Sequence, residues 1–386
     1  MKNVLIINQS AELYGADKAI LELISNFPKN YRPIVVVHED GPFKEILEEK
    51  RILVIKCSVI KVKRGILKPN FFLNLPFDYI KSVNTIKRAL GNEKIDLIHS
   101  NATSVFLGAF MSFFLRIPHI WHIHEIIENP KRIAYLYPKI VSFFSDFVIF
   151  NSHATSNHFT SKNEKLLKKS SIIYNGQSRN IDFLDNNSIS LIRKNDFKIT
   201  REKIIIGLIG RISKIKGQFL LLESFKTLTK KYSNIHLVFV GSTVTNQEYL
   251  LEKLKLKVRE YGLEKDVSFL DFRRNIWPIY DALDIVVVPS VEPESFGLVA
   301  TEAMLSKKPV VASRIGGLKE IVVCNETGFL FEPKNKEDLA QKLSFLIEFP
   351  QKRLSMGEKG NEIVKEKFTT QKYVLLIQKT YDNLTL

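Results

Sequence analysis

The chain has 386 residues, and its 45% hydrophobic and 25% charged residues are typical of a globular protein large enough for two domains of about 180 residues each. Cys57 and Cys324 are the only cysteines, which excludes a disulfide framework and favours a reducing cytoplasm. The first apolar run, Val4 to Ile7, is too short for the core of a signal peptide, and the uncharged stretch 102–115 falls short of the roughly 20 residues that span a bilayer.

The net charge is +16, and basic residues concentrate between positions 51 and 90. Nine basic residues stand there against one acid, Asp78, and large apolar residues are mixed among them. This mixture favours peripheral contact with an anionic membrane, where each base contributes about 1 kcal/mol. The alternative is a solvated loop and helix face. Nucleic acid is not predicted as a partner, because no recognition motif accompanies the charge.

Strand and helix patterns alternate along most of the chain, which predicts α/β architecture with parallel sheets covered by helices on both faces. We predict seven strands in residues 1–176 and six in residues 203–369. Among the helices, we expect one over 79–90 and another over 104–114. Between the halves, residues 177–202 are polar and predict an interdomain linker. Ligands of such sheets bind beyond the carboxyl ends of the strands.

Two segments of the first half end strands with residues that suit a ligand site. Gly15 opens a helix after the first strand, and the absence of a side chain lets the backbone approach a diphosphate at the helix N-terminus. The sequence Trp121 to Glu125 closes a later strand, where alternation places His122 and His124 on one face. His99, which ends the preceding strand pattern, is interpreted as structural.

Two cations follow the first strand of the second half. Arg211 comes directly after this strand, and Lys216 precedes Gly217 at the start of the next helix. The planar guanidinium can grip phosphate oxygens and the ammonium adds a compact charge, so the pair is suited to a leaving diphosphate.

The stretch from Pro289 to Met304 joins a buried strand, an acidic loop and a helix. Such a junction directs free backbone N–H groups and the positive helix end beyond the strand, which predicts a phosphate site. Glu294 lies in the loop, where it could meet a sugar hydroxyl. Glu302 lies more than a turn inside the helix, where its carboxylate could accept hydrogen bonds from a ribose diol.

Glu294 to Leu298 followed by Glu302 resembles the signature of the family 4 glycosyltransferases, also called glycosyltransferases group 1. The resemblance implies two Rossmann-like, doubly wound parallel-sheet domains that face each other across a cleft, the GT-B type. It implies an acceptor-side domain at 1–176, a nucleotide-sugar domain at 203–369, and a C-terminal helix, 370–386, that packs back on the first domain.

The resemblance also implies the roles of the candidate residues. His124 and Glu294 orient the donor sugar and are the predicted catalytic residues. The donor-binding residues implied or supported by the resemblance are Gly15, Arg211, Lys216, Ser295, Phe296, Gly297, Leu298 and Glu302. One departure is Tyr14, which stands where the family usually has the first glycine of a Gly-Gly pair.

The sequence therefore predicts a cytoplasmic enzyme, peripheral on the inner face of the cell membrane, that moves a sugar from a nucleotide diphosphate sugar to a hydroxyl of a glycan or lipid-linked acceptor. The resemblance implies retention of configuration, and we expect a role in cell-surface polysaccharide synthesis. No Asp-x-Asp pair follows a strand in the first half and no metal-ligand spacing is present, so we expect transfer without a metal or other cofactor. The alternatives are a two-lobed nucleotide-sugar epimerase and a non-catalytic basic protein that binds membrane or nucleic acid.

Overall fold

The computed structural model describes residues 1–62, 69–243 and 246–385, and for residues 69–72 the backbone alone. Residues 63–68 of the basic stretch therefore lie outside the described residues. The chain forms two compact units: unit 1 comprises residues 1–177 and 369–386, and unit 2 comprises residues 178–368.

Unit 1 is built on a parallel sheet of seven strands in the order β3-β2-β1-β4-β5-β6-β7. The strands are β1 (Lys2–Asn8), β2 (Tyr31–Val37), β3 (Leu53–Lys56), β4 (Leu97–Asn101), β5 (His119–Ile123), β6 (Phe147–Phe150) and β7 (Ser170–Ile172). Their apolar runs, such as Val4 to Ile7, are buried because helices cover both faces of the sheet.

The helices of unit 1 alternate with these strands along the chain, as the sequence predicted. They are α1 (Gly15–Ser25), α2 (Pro42–Glu49), α3 (Pro69–Leu90), α4 (Leu107–Leu115), α5 (Lys131–Phe144) and α6 (His153–Thr160), with a 3-10 helix at Glu164–Lys169. Helix α3 begins well before the predicted 79–90, although Pro76 lies inside it. Pro69 stands in the first turn of α3, where no intrahelical N–H bond is lost.

Unit 2 repeats the architecture with a parallel sheet of six strands in the order β10-β9-β8-β11-β12-β13. The strands are β8 (Ile204–Ile209), β9 (Ile235–Val240), β10 (Val267–Leu270), β11 (Ile285–Val288), β12 (Val310–Ser313) and β13 (Gly328–Phe331). The helices are α7 (Asn186–Asn195), α8 (Gln218–Thr229), α9 (Tyr249–Glu260), α10 (Trp277–Ala282), α11 (Leu298–Leu305), α12 (Leu318–Ile321), α13 (Lys336–Glu348) and α14 (Pro350–Lys367). The prediction of two parallel sheets with flanking helices is confirmed.

The polar segment 177–202, predicted as a linker, is folded into unit 2 from Ser178 onwards. It carries α7, of which no residue is buried, and this exposure explains its polar sequence. The segment is anchored by Arg179, whose guanidinium donates to both carboxylate oxygens of Asp281 at 2.7 Å. Phe197, at the end of the segment, is fully buried.

The last helix, α15 (Thr370–Leu384), belongs to unit 1. Its side chains Tyr373, Ile377 and Tyr381 are buried in the same apolar cluster as β1 and β2. The hydroxyl of Tyr381 also lies 2.7 Å from His99 Nδ1, so this helix fills a place beside the sheet that polar groups of β4 line.

Candidate functional site

In unit 2, the strand order reverses at β8 and β11, which are direct neighbours in the sheet. The loops that follow these two strands, residues 210–217 and 289–297, therefore leave the sheet side by side. A crevice at such a switch point is where doubly wound sheets bind ligands. The predicted residues Arg211, Lys216 and Glu294 all lie on these two loops.

The two loops are packed closely on each other. Val291 N donates to Ile215 O at 2.9 Å, which ties one loop to the other. Gly217 has φ +76°, and a Cβ at this position would lie 1.9 Å from Pro289 O. Only glycine satisfies both requirements, so the motif Lys216-Gly217 brings the lysine against the second loop.

A third loop, after β12, holds the backbone of Glu294. Gly317 N donates to Glu294 O at 2.8 Å. Gly316 has φ +54°, and a Cβ there would lie 2.1 Å from the same carbonyl oxygen. The Gly316-Gly317 pair thus allows the close approach that fixes where Glu294 stands.

The side chain of Glu294 is held by two donors. Lys216 Nζ and Ser290 Oγ each lie 2.5 Å from Glu294 Oε1. Burial alone would raise the pKa of Glu294, but the Lys216 ammonium, these hydrogen bonds and the charge of Arg211 together lower it below its usual value. Glu294 is therefore an ionised carboxylate at neutral pH, suited to accept hydrogen bonds.

Glu302 lies in α11 and is 3% exposed. Tyr280 of α10 donates its hydroxyl proton to Glu302 Oε2 at 2.7 Å. Burial, followed by the charge of Glu302, holds the pKa of Tyr280 far above its usual value, so the hydroxyl stays protonated as a donor. Tyr280 could not be predicted as a site residue, because it stands in a short helix outside the motif.

The residues between Glu294 and Glu302 differ in which of their groups a ligand could contact. Gly297 is the N-cap of α11 in the left-handed region, with φ +118°. Phe296 is buried against Phe368, with ring centroids 5.6 Å apart. Only the backbone of Phe296 can therefore contribute to a ligand site, whereas Ser295 and Leu298 are partly exposed.

In unit 1, polar side chains collect at the carboxyl ends of β1, β4 and β5. Asn8 pairs with Asn101 in the sheet, and Asn101 pairs with His122. Asn101 Nδ2 donates to Asn8 Oδ1 at 2.7 Å, so its own Oδ1 is available to accept from His124 Nε2 at 2.8 Å. In this arrangement the imidazole of His124 carries a proton on Nε2.

His124 is buried, and this burial lowers its pKa to about 3. Its Nδ1 lies 3.5 Å from the side-chain amide of Asn151. As predicted, His122 is on the same face of the strand, with ring centroids 4.1 Å apart. Both ring nitrogens of His124 thus have partners within unit 1, and the predicted contact with a sugar would require one of these partners to be exchanged.

Gly15 is the first residue of α1, and the loop before it is fixed by a carboxylate that the sequence analysis missed. Asp17 accepts from Asn8 Nδ2 at 2.8 Å, from Ser10 Oγ at 2.7 Å and from Tyr14 N at 3.1 Å. Burial raises the pKa of Asp17 to about 6, and the hydrogen bonds from Ser10 and Asn8 oppose this shift. Asp17 is connected through Asn8 and Asn101 to His124.

Within the part of the chain that the structure describes, no group of three or more His, Cys, Asp or Glu side chains could hold a metal ion. Within the same residues, no helix is both long and apolar enough to cross a membrane.

The chain has two Rossmann-like sheets, and the second carries two cations and an ionised carboxylate at its switch point. This arrangement is typical of proteins that bind a nucleotide or another phosphorylated ligand. Residues 14–178 match the family described as Glycosyltransferase Family 4, and residues 192–363 match the family described as Glycosyl transferases group 1. The chain belongs to the group 1 glycosyltransferases of family 4, as the sequence resemblance predicted.

Relatives of similar length support this assignment. An uncharacterized glycosyltransferase of Methanocaldococcus jannaschii is 30% identical over 350 residues, which cover 88% of this chain and 87% of the relative. The capsular polysaccharide biosynthesis glycosyltransferase CapM of Staphylococcus aureus is 29% identical over 363 residues, which cover 89% of this chain and 88% of CapM.

Solved structures share the fold. HepE of Anabaena, in complex with UDP and glucose, superposes with a TM-score of 0.85 at 26% identity, covering 99% of this chain and 100% of HepE. A glycosyltransferase of Rickettsia africae superposes with a TM-score of 0.82 at 19% identity, covering 99% of this chain and 98% of that one. The fold is thus that of the GT-B glycosyltransferases.

Proposed function

We propose that this glycosyltransferase moves a sugar from a nucleotide diphosphate sugar to a hydroxyl of a glycan or lipid-linked acceptor, with retention of configuration. The observation that carries the proposal is the cluster of Arg211, Lys216 and Glu294 on the two loops of the β8–β11 switch point. HepE, which has the same architecture over its full length, has been solved with UDP and with UDP-glucose. A uridine diphosphate sugar is therefore the first donor to test.

Each member of the cluster has a role in this proposal. The guanidinium of Arg211 and the ammonium of Lys216 meet the diphosphate oxygens, where negative charge develops as the donor's anomeric bond breaks. Glu302 accepts hydrogen bonds from the ribose hydroxyls. Glu294 accepts a hydrogen bond from a hydroxyl of the donor sugar and, with His124 of unit 1, orients it. The backbone of Ser295 to Leu298 and the loop that ends at Gly15 approach the diphosphate.

Retention of configuration requires that the new glycosidic bond form on the same face of the sugar ring as the bond to phosphate that breaks. A covalent glycosyl-enzyme would need a carboxylate nucleophile about 5 Å from an acid, and no residue is assigned to that role. In the route we propose, the bond between the anomeric carbon and the phosphate oxygen breaks as the acceptor oxygen bonds the same carbon from the same side. The acceptor's proton passes to the departing diphosphate, so the cations serve as the main catalytic groups.

The biological role we propose is cell-surface polysaccharide synthesis in the cytoplasm, at the inner face of the cell membrane. CapM, whose name places it in capsular polysaccharide biosynthesis, supports this role by its similarity over most of both chains. We keep the expectation that the reaction requires no metal ion or other cofactor, because Arg211, Lys216 and helix N-termini can supply the positive charge.

The deciding experiment incubates the purified chain with uridine diphosphate sugars, with and without glycan and lipid-linked acceptors, and measures release of the nucleotide diphosphate. Release that depends on the acceptor supports transfer, and NMR of the product gives its anomeric configuration. Conversion of the sugar nucleotide without an acceptor would instead identify an epimerase. Activity should persist in excess EDTA; loss that magnesium or manganese restores would contradict metal independence.

A further inference from the structure

Three neighbouring helices of unit 1, α3, α4 and α5, expose large apolar side chains to solvent. Each of these side chains is more than half exposed, and together they define what we call the apolar face: Leu73, Phe77, Ile80, Phe113, Phe114 and Phe143. Exposed apolar residues scattered singly are ordinary, but a contiguous group on one side of a domain marks a surface that meets another phase or partner.

Ring contacts connect the exposed residues of α4 and α5 and place α3 beside them. Phe113 of α4 and Phe143 of α5 have ring centroids 6.1 Å apart. Phe114 of α4 lies 5.4 Å, centroid to centroid, from Tyr79 of α3. The exposed rings of α4 and α5 thus form one surface, and α3 contacts it through Tyr79, which is partly buried against the core.

The exposed side chains of α3 are not the ones that attach this helix to the sheet. Leu73, Phe77 and Ile80 recur at helical spacing and form one stripe. Val83 and Ile86 are buried in the core of unit 1 and lie on a different side of the helix. The outer stripe therefore contributes nothing to the core of unit 1, and its exposure is unfavourable unless something covers it.

The charge around the face indicates what covers it. In residues 69–90, 107–116 and 131–144, Asp78 is the one acid, against seven bases: Lys81, Lys87, Arg88, Arg116, Lys131, Arg132 and Lys139. Within the described residues, Lys81, Lys87, Arg88 and Arg116 have no acidic partner within 4.0 Å. Uncompensated cations around an apolar surface match the phosphates and acyl chains of an anionic lipid surface.

We propose that the apolar face rests on an anionic phospholipid bilayer. Its aromatic rings enter the boundary between headgroups and acyl chains, and the surrounding bases contact lipid phosphates. The stretch 51–90, whose mixture of basic and apolar residues predicted membrane contact, contains α3 but neither α4 nor α5, so the proposed surface extends beyond that stretch. This inference rests on the proposed location at the inner face of the cell membrane and names the surface responsible for it, whereas glycosyl transfer is tested separately.

The test is co-sedimentation of the full chain with phosphatidylcholine vesicles and with vesicles of equal parts phosphatidylcholine and phosphatidylglycerol. We expect binding to the anionic vesicles that weakens as salt is raised. Phe77→Ser with Phe143→Ser should reduce binding at least about tenfold, because two rings no longer leave water. Lys81→Glu with Arg88→Glu should remove the preference for phosphatidylglycerol.

Matched controls lie on unit 2, where Leu256 and Leu354 are also more than half exposed. Leu256→Ser with Leu354→Ser, and Lys253→Glu with Lys352→Glu, should leave vesicle binding unchanged. A thermal shift by a uridine diphosphate sugar, measured on every variant, reports folding and donor binding independently of lipid.

Three results would overturn the proposal. The first is no binding of the unaltered chain to anionic vesicles. The second is unchanged binding by both face variants. The third is a stable dimer, seen by analytical ultracentrifugation, that the Phe77→Ser and Phe143→Ser changes dissociate; the face would then be an interface between copies of the chain.

Discussion

Tyr280 Oη lies 2.7 Å from Glu302 Oε2, and this contact joins a helix outside the family motif to the carboxylate that we assign to the donor ribose. A buried carboxylate with a fixed neighbour has fewer orientations to lose when a ligand binds. Tyr280 is therefore a positioning residue for Glu302, and the pair can be tested by donor affinity.

Replacing Tyr280 by Phe removes the donor hydroxyl and leaves the ring in place. We expect donor binding to weaken by about 1 kcal/mol, or roughly fivefold, and Glu302→Ala to weaken it by about 1 to 3 kcal/mol. Isothermal titration with a uridine diphosphate sugar measures both. The exposed Tyr249 provides a control as Tyr249→Phe. Unchanged affinity in Glu302→Ala would remove this residue from the donor site.

The ion pair between Lys216 and Glu294 predicts a kinetic effect. Lys216→Ala removes the ammonium that we assign to the departing diphosphate and leaves Glu294 without its cation. We expect kcat/KM to fall by about 10²- to 10³-fold, the range for losing one group that stabilises developing charge. Lys214→Ala, two residues away and exposed, is the matched control. Equal activities of the two variants would exclude Lys216 from the chemistry.

The buried pair of Arg179 and Asp281 predicts a stability effect in unit 2. Their side chains are 5% and 2% exposed, so Arg179→Ala leaves the buried carboxylate of Asp281 without its paired guanidinium and should cost about 3 to 5 kcal/mol of unfolding free energy. Urea denaturation followed by circular dichroism measures this loss. Lys255→Ala, which breaks an exposed pair with Glu252, should cost below about 1 kcal/mol. Similar losses in both variants would contradict this account of the segment's anchor.

The histidines at the carboxyl end of the unit 1 sheet predict a loss of stability in acid. Burial lowers the pKa of both His99 and His124 to about 3, whereas the unfolded chain binds their protons below about 6.5. Each histidine therefore lowers the free energy of unfolding by about 1.4 kcal/mol per pH unit as pH falls from 6.5. At pH 5 the two together lower it by about 4 kcal/mol.

Asp17 acts in the opposite direction, because its raised pKa of about 6 lets the folded chain bind a proton before the unfolded chain does. Between pH 6 and 5, proton binding to Asp17 adds about 1 kcal/mol to the free energy of unfolding, which is less than the two histidines remove. Thermal melts from pH 7.5 to 5 should show it, and His99→Gln should make the decline shallower, whereas the exposed His38→Gln should not. A melting temperature that is constant over this range would contradict the burial of the neutral rings.

Much of the fold follows from the sequence, because buried parallel strands leave continuous apolar runs that few other structures require. The strands Leu53–Lys56, Phe147–Phe150 and Ile285–Val288 have the bounds that their apolar runs predict. Helix α3 and the segment 177–202 were predicted less well. Prolines at 69 and 76 and the polar residues of α7 resemble loop sequences, and the contacts that keep them ordered come from distant parts of the chain.

In the candidate site, too, some residues could be predicted from the sequence and others could not. Arg211, Lys216 and Glu294 could be selected because they lie at strand ends and helix starts in a pattern that resembles the family's donor site. Tyr280, Asp17 and Asn101 could not, since each acts through a partner far from it in sequence. The inward direction of Phe296 was also hidden, because a motif gives the order of residues and not which side chain packs into the core.

Unit 1 contains both ends of the described chain, and this order of assembly has a consequence during translation. When the ribosome has finished residues 1–177, β4 and β5 can pair, yet the side of the sheet that Tyr373 and Tyr381 fill is still open. His99 then lacks its tyrosine partner until α15 leaves the exit tunnel, after all of unit 2. The first half to be synthesised is therefore the last to be completed, and its unfinished apolar surface is where a chaperone has the longest time to bind.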